Sequence, residues 1–243
     1  MGEILGFDLE VCNMLDIDKP LAEQLPMGIT CAVVSRVQAP IAIFRPPMTA
    51  GRYEDKLTTD RCIFLAEYLC EADFSGDTIV TVNGLGFDFR VLWAEIEGEF
   101  PAAPFVRMVK NHVDLGFAML CGLGYMGGLV AMGKGMGVGS KTEGMDGVRA
   151  VELWKGGKEA QDNVIVYCSR DAELTAQVYN AVVTRKSLTW ITKAGKSRDF
   201  DFGMDVSKLA VARALEFSEP DTSWMTSPRK RVDCLGWLDG LVK

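Results

Sequence analysis

The sequence predicts an α/β protein, a mixed sheet with helices packed on its faces. Three observations lead there: strand-like apolar runs come first, one helical pattern stands between strands, and long helical patterns come last. Residues 3–9 (EILGFDL) read as the first strand. Residues 28–36 (GITCAVVSR) and 40–45 (PIAIFR) read as two more, and the turn at Val37–Ala39 is so short that they must be antiparallel neighbours. Over 56–72, Leu57, Cys62, Ile63, Leu65, Ala66, Leu69 and Cys70 recur at helical spacing. DTIVTVNG at 77–84 is a buried strand running into a turn, and FDFRVLWAEIEG at 87–98 opens a helix that Gly98 ends.

NHVDLGFAMLCGLGYM suggests a short strand and then a helix. Residues 133–147 are rich enough in glycine to be expected as a loop. Two helices follow, over 148–155 and 158–184, then a hairpin over 188–203 turning at AGK, and a helix near 206–217. No internal repeat or low-complexity segment interrupts this order. The expected organisation is one domain over 1–185, with a hairpin-and-helix extension over 186–243 packed on it.

Composition narrows the function. With 243 residues, 48% of them hydrophobic, the chain can bury a substantial core. A formal charge of −7 argues against a protein that coats nucleic acid non-specifically, though a local basic groove is still compatible with it. No apolar run has the length of a membrane span, and no charged-then-apolar leader begins the chain. The seven cysteines include no Cys-x-x-Cys pair, so the expected setting is a reducing, cytoplasmic one. The single histidine, His112, excludes HExxH peptidases, and no G-x-S-x-G elbow accompanies it.

Three acidic signals carry the chemistry. Asp8 and Glu10 stand two apart on the first strand, so their side chains share a face, about 6–7 Å apart along the chain. Asp88 follows NGLGF where a strand hands over to a helix, and Tyr167 and Asp171 are four apart on one helical face. Singly, each has an ordinary reading: an exposed strand end, an acid in a first helical turn, a packed tyrosine beside a solvated acid. Together, four carboxylates near one sheet need a compensating cation. Oxygen ligands select Mg²⁺ or Mn²⁺, and two such ions about 3.5–4 Å apart serve in-line displacement at phosphorus.

The order Asp-x-Glu, then NG..FD, then Tyr-x-x-x-Asp resembles the DEDD (DnaQ-like) 3′–5′ exonucleases of RNase H-like fold. Its Tyr-x-x-x-Asp ending is that of the tyrosine subtype, similar to the proofreading domains of family B DNA polymerases. HVDL at 112–115 and GSKTEGMDG are similar to segments of polymerase-B-type exonucleases, and the resemblance covers roughly residues 3–185. It implies a mixed five-stranded sheet, with Asp8, Glu10, Asp88 and Asp171 as ligands of two Mg²⁺ or Mn²⁺ ions and Asp8 bridging both. Tyr167 would orient or help deprotonate the attacking water. Asn83, Phe87 and the backbone near Leu9 would lie close to the 3′-terminal nucleotide. The implied partner is nucleic acid with a free 3′ end, DNA at single-stranded or frayed ends before RNA, with any polymerase acting in trans for replication or repair.

The competing readings are an RNase H-like endonuclease and a catalytically idle module that binds nucleic acid or protein. GMGVGSKT at 135–142 is one residue away from a phosphate loop, but no strand precedes it and no helix opens after it. Lys134 and Lys141 are placed by this reading on a loop near the substrate path. Asp114 and His112 read as a strand end and a satisfied polar pair, and Arg229–Lys230–Arg231 as a solvated surface run.

Overall fold

The computed structural model describes residues 2–37, 42–140 and 144–241. Ala39 and Pro40 of the expected turn and strand, and Lys141, lie outside them. Strand β1 (Ile4–Val11) is followed by β2 (Ile29–Arg36), β3 (Ala42–Phe44) and the small hairpin β4 (Met48–Thr49)–β5 (Arg52–Tyr53). Helix α1 (Thr59–Phe74) leads to β6 (Thr78–Thr81), α2 (Asp88–Ile96), α3 (Ala102–Asn111) and β7 (Val113–Asp114). Helices α4 (Leu115–Leu123), α5 (Leu129–Met136), α6 (Gly147–Trp154) and α7 (Lys158–Arg185) precede the hairpin β8 (Ser187–Ile191)–β9 (Ser197–Asp201). The short helices α8 (Val211–Ala214) and α9 (Arg231–Leu235) complete the order.

The main sheet has five strands in the order β3-β2-β1-β6-β7. Strand β2 is antiparallel to both β1 and β3, whereas β1, β6 and β7 pair in parallel, so β2 alone runs against the rest. This is the mixed five-stranded sheet of the RNase H-like fold. Strand alternation divides β1 between two environments. Leu5, Phe7, Leu9 and Val11 enter the main core with Ala32 and Val34 of β2, and Phe7 stacks on Phe89 of α2 at 5.4 Å between ring centres. Gly6, Asp8 and Glu10 face the other way, toward α7.

Helix α7 approaches that face so closely that a Cβ at Gly6 would stand 1.9 Å from the Ala172 carbonyl oxygen. Only glycine permits this packing. Cys31 and Val33, paired with Glu10 and Asp8 across the sheet, form a second cluster there with Tyr167, Cys168 and Ala172.

Most expected elements are present within a few residues of their predicted ends. The expected loop over 133–147 is a correction, because α5 runs through Met136. Its Gly135 serves contact rather than looseness: a Cβ there would meet Thr189 O at 2.3 Å and Trp190 Cα at 2.4 Å, so the helix lies directly on the β8 backbone. The helix expected near 206–217 is instead a 3₁₀ turn, Val206–Lys208, and the one-turn α8. Tertiary bonds override the local pattern there, since Tyr179 donates to Val206 O and the Val211 N–H donates to His112 O. Helix α3 went unread because of its two prolines, which stand at the N-cap (Pro101) and in the first turn (Pro104), where a helix tolerates them.

His112 is 2% exposed and packs edge-on against Phe89 at 4.6 Å. Its Nδ1 meets the Val109 carbonyl, and Nε2 has no hydrogen-bond partner among the described residues, which identifies a neutral ring that donates from Nδ1. Burial pushes its pKa below the usual 6.5, against the opposing pull of Asp114. The unfolded chain therefore takes up a proton that the native state refuses, and stability present above pH 6.5 is lost as the pH falls below it. The expected loss is up to about 1.4 kcal/mol per pH unit between about pH 6.5 and 5, above the range of ordinary carboxylates. Urea unfolding should show this slope in the parent and a flatter one in His112→Gln.

Candidate metal centre at the end of the sheet

Strands β1 and β6 pair only over Ile4–Gly6 with Thr78–Val80, and then diverge. Beyond this point β6 leads into the loop 82–87 and α2, which returns Asp88 to β1. There Asp88 Oδ1 accepts the Leu9 N–H at 3.3 Å, between Asp8 and Glu10. The first two acidic signals, 79 residues apart, thus meet at the carboxyl end of adjacent parallel strands, where crevices form in such sheets. The register shifts between Glu10 and Val11, which face Cys31 and Ile29, so Thr30 is an extra residue and β2 bulges beside the acids.

The third signal arrives on α7. Cys168 donates its thiol to Asp8 O at 3.4 Å, and Ala172 sits against Gly6, so the turn 168–172 crosses β1 at the acids. Asp171, 1% exposed, lies on this turn, and Tyr167, 3% exposed, packs with Cys31, Val33 and Cys168. Glu10 and Asp88 are also buried, whereas Asp8 is half-buried.

Asp8, Glu10 and Cys168 each offer a ligand atom within 4.8 Å of the others, so this group could hold a metal ion. Sequence reading passed over Cys168, which carries no motif. Its one signal is its position three residues before Asp171, on the same face of the helix. Burial above all, then the hydrogen bond with Cys31 and the nearby Asp8 and Glu10 charges, push the Cys168 thiol well above 9. Of these donors the carboxylate oxygens suit a hard cation, whereas a thiol sulfur suits softer ions.

The loop 82–87 is held by Asp114, whose carboxylate accepts N–H groups from Asn83 (2.9 Å), Leu85 (2.9 Å) and, capping α4, Phe117 (3.0 Å). Asp114 is therefore a brace for the Asn-Gly turn at a strand end; the satisfied polar pair with His112 read from the sequence is a correction, because the Asp114 hydrogen bonds go to backbone N–H groups and that of His112 to Val109 O. Asn83 adopts φ 72, the left-handed region that asparagine tolerates better than most residues. A cleft of about 330 Å³ opens beside Glu10, lined by Leu9 and Phe87 and walled by Met14, Leu15 and Val148. Leu9 and Phe87 thus meet at one cleft. Asn83 does not line it; its side chain accepts a hydrogen bond from Arg229.

No protein-family model and no curated protein matches the sequence. Among solved structures, the chain is similar to the family B DNA polymerase from the hyperthermophilic archaeon Pyrobaculum calidifontis, with a TM-score of 0.57 and 16% identity. The match covers 88% of this chain and 27% of that polymerase, so the chain spans about a quarter of the polymerase's length. At this identity the likeness is one of fold.

If the carboxylates hold an ion, Mg²⁺ or Mn²⁺ should raise the melting temperature of the parent, as any ligand of the native state does. Asp8→Ala should fold without added metal and show a much smaller shift in differential scanning fluorimetry. Equal shifts in the two proteins would place the ion elsewhere.

Proposed function

We propose that the chain is a metal-dependent 3′–5′ exonuclease that releases nucleoside monophosphates from nucleic acid, single-stranded or frayed DNA first. The observation that carries this reading is the Asp88 carboxylate on the Leu9 N–H, which joins the acid of the Asn-Gly motif to the Asp-x-Glu strand. The turn of α7 bearing Tyr167 and Asp171 lies against the same strand through Cys168 and Ala172, which supports drawing the third acidic signal to the first two.

Asp8, Glu10, Asp88 and Asp171 would hold Mg²⁺ or Mn²⁺. Such ions, when bound, acidify a water and neutralise charge developing on the phosphate. The chain's own residues do the positioning. The apolar cleft at Leu9 and Phe87 takes the terminal base and keeps bulk water from that side of the sugar. Tyr167, held by Cys31, Val33 and Cys168, has little rotameric freedom, so its hydroxyl can fix the attacking water in line with the leaving oxygen. A phenol with an ordinary pKa near 10 is a weak base at neutral pH, so orientation is its main contribution. Seven free thiols suit the reducing cytoplasm.

With 5′-labelled single-stranded DNA and Mg²⁺ or Mn²⁺, the expected product is a ladder shortening from the 3′ end. One internal cut would indicate an endonuclease, and no cut an idle module. Tyr167→Phe should lower kcat by about ten- to a thousandfold with little change in KM, within or below the range of a positioned acid–base group. Full turnover in that variant would make Tyr167 a packing residue.

A further inference from the structure

The segment after the β8–β9 hairpin returns to the loop 82–87. Arg231 donates to the carbonyls of Cys121 (2.9 Å), Phe217 (2.8 Å) and Ser218 (3.2 Å), and Trp237 Nε1 donates to Leu85 O (3.0 Å). The basic run is therefore not uniformly solvated, because Arg231 is half-buried and ties the tail to the end of α4, while Trp237 ties it to the loop that leads to Asp88.

Arg229 differs. It is exposed, and its guanidinium donates to Asn83 Oδ1 and Met126 Sδ, both at 3.2 Å. Both acceptors are neutral, and no carboxylate pairs with Arg229 among the described residues. A Cβ at Gly86 would stand 2.7 Å from Arg229 Nη2, so the second glycine of NGLGF leaves room for this cation. Next to Met126, Tyr125 meets the edge of Trp224 at 6.3 Å, and Trp224 is 68% exposed. At Arg229 opens a groove of about 440 Å³, lined also by Gly124, Thr222 and Lys230, with Glu219 as the acid among its walls.

We propose that this surface is the track along which a single-stranded 3′ tail enters the catalytic cleft, Arg229 holding a backbone phosphate and Trp224 stacking on an unpaired base. The proposal rests on the exonuclease reading above. Its grounds are charge and continuity. In a chain of net charge −7, a cation bonded only to neutral groups is a favourable landing point for a polyanion, and this one touches the loop carrying the second acidic motif. A guanidinium has five donors, so Arg229 can take a phosphate and keep Asn83. The exposed indole and the cation are linked through the neighbouring residues Tyr125 and Met126, and aromatic and cationic groups together hold single strands without regard to sequence; stacking on the indole requires an unpaired base.

The test compares the parent, Arg229→Ala, Arg229→Lys and Trp224→Ala on oligothymidylates of about four and about sixteen nucleotides, over a severalfold range of salt. Arg229→Ala should raise KM on the longer substrate about tenfold, with kcat within about twofold, and flatten the slope of log KM against log salt by about 0.7, one single-strand phosphate contact. Arg229→Lys should restore the slope. Trp224→Ala should raise KM on the longer substrate by about five- to a hundredfold, and by less on the shorter one. A parental salt slope in Arg229→Ala, or a loss confined to kcat, would overturn the proposal and leave Arg229 as a brace for Asn83. Should the parent degrade neither substrate, the exonuclease reading fails by itself. Fluorescence anisotropy of the labelled sixteen-mer then decides the track: weaker binding by both alanine variants supports it, and parental affinity refutes it.

Discussion

Everything at the acidic site depends on one close approach, that of the α7 backbone to β1 at Gly6. A carbonyl of the helix occupies the space where any other residue would place its Cβ. The contact sets the height of α7 above the sheet at one point, and side chains near that point have little room to settle elsewhere. Asp171 is the neighbour of the contacting Ala172 and Cys168 lies one turn before it, while Asp8 and Glu10 stand two and four residues along the strand. A helix held off by an ordinary side chain would carry Asp171 away from β1. The smallest residue on β1 thus governs the arrangement of the most polar ones.

The second support is polar. Asp114 gathers three backbone N–H groups from two segments, so the Asn-Gly turn and the start of α4 are built around one carboxylate. Such bonds to a buried charge are stronger than neutral ones, and the charge is costly if they are lost. The turn that delivers Asp88 to Leu9 therefore inherits its position from β7. Arg229, approaching from the opposite side, meets a loop already in place.

Much of this was legible in the sequence because two periodicities are strong in it. Alternation in EILGFDLEV gave both the strand and the face of its carboxylates, and the spacing of Tyr167 and Asp171 gave the shared face of α7. What escaped has physical causes. The glycines of α5 look like loop because sequence does not distinguish a residue that is small for contact from one that is small for freedom; Gly135, pressed on Thr189, is the former. Cys168 has no motif, and its importance comes only from a contact made across 160 residues. The division of labour within Arg229–Lys230–Arg231 depends on which carbonyls and amides lie opposite, and a run of like charges says nothing of that. The meeting of Arg229 with Asn83, 146 residues away, is likewise a product of the tertiary fold.

The two-sidedness of β1 has a consequence for how such a chain can vary. Odd positions supply the core and even positions the chemistry, with nothing between them to absorb an offset. Insertion or loss of a single residue before Asp8 would send the carboxylates into the aromatic pair Phe7–Phe89 and turn leucines outward to the helix. Point replacement can therefore explore this strand, but length change cannot. The segment 13–27 that follows is free of that restriction, because the backbone pairing of the two strands ends at the bond from Cys12 N–H to Gly28 O. Lineages derived from this fold should accordingly keep the strand's length fixed and spend their insertions in the adjoining loop, on the rim of the cleft.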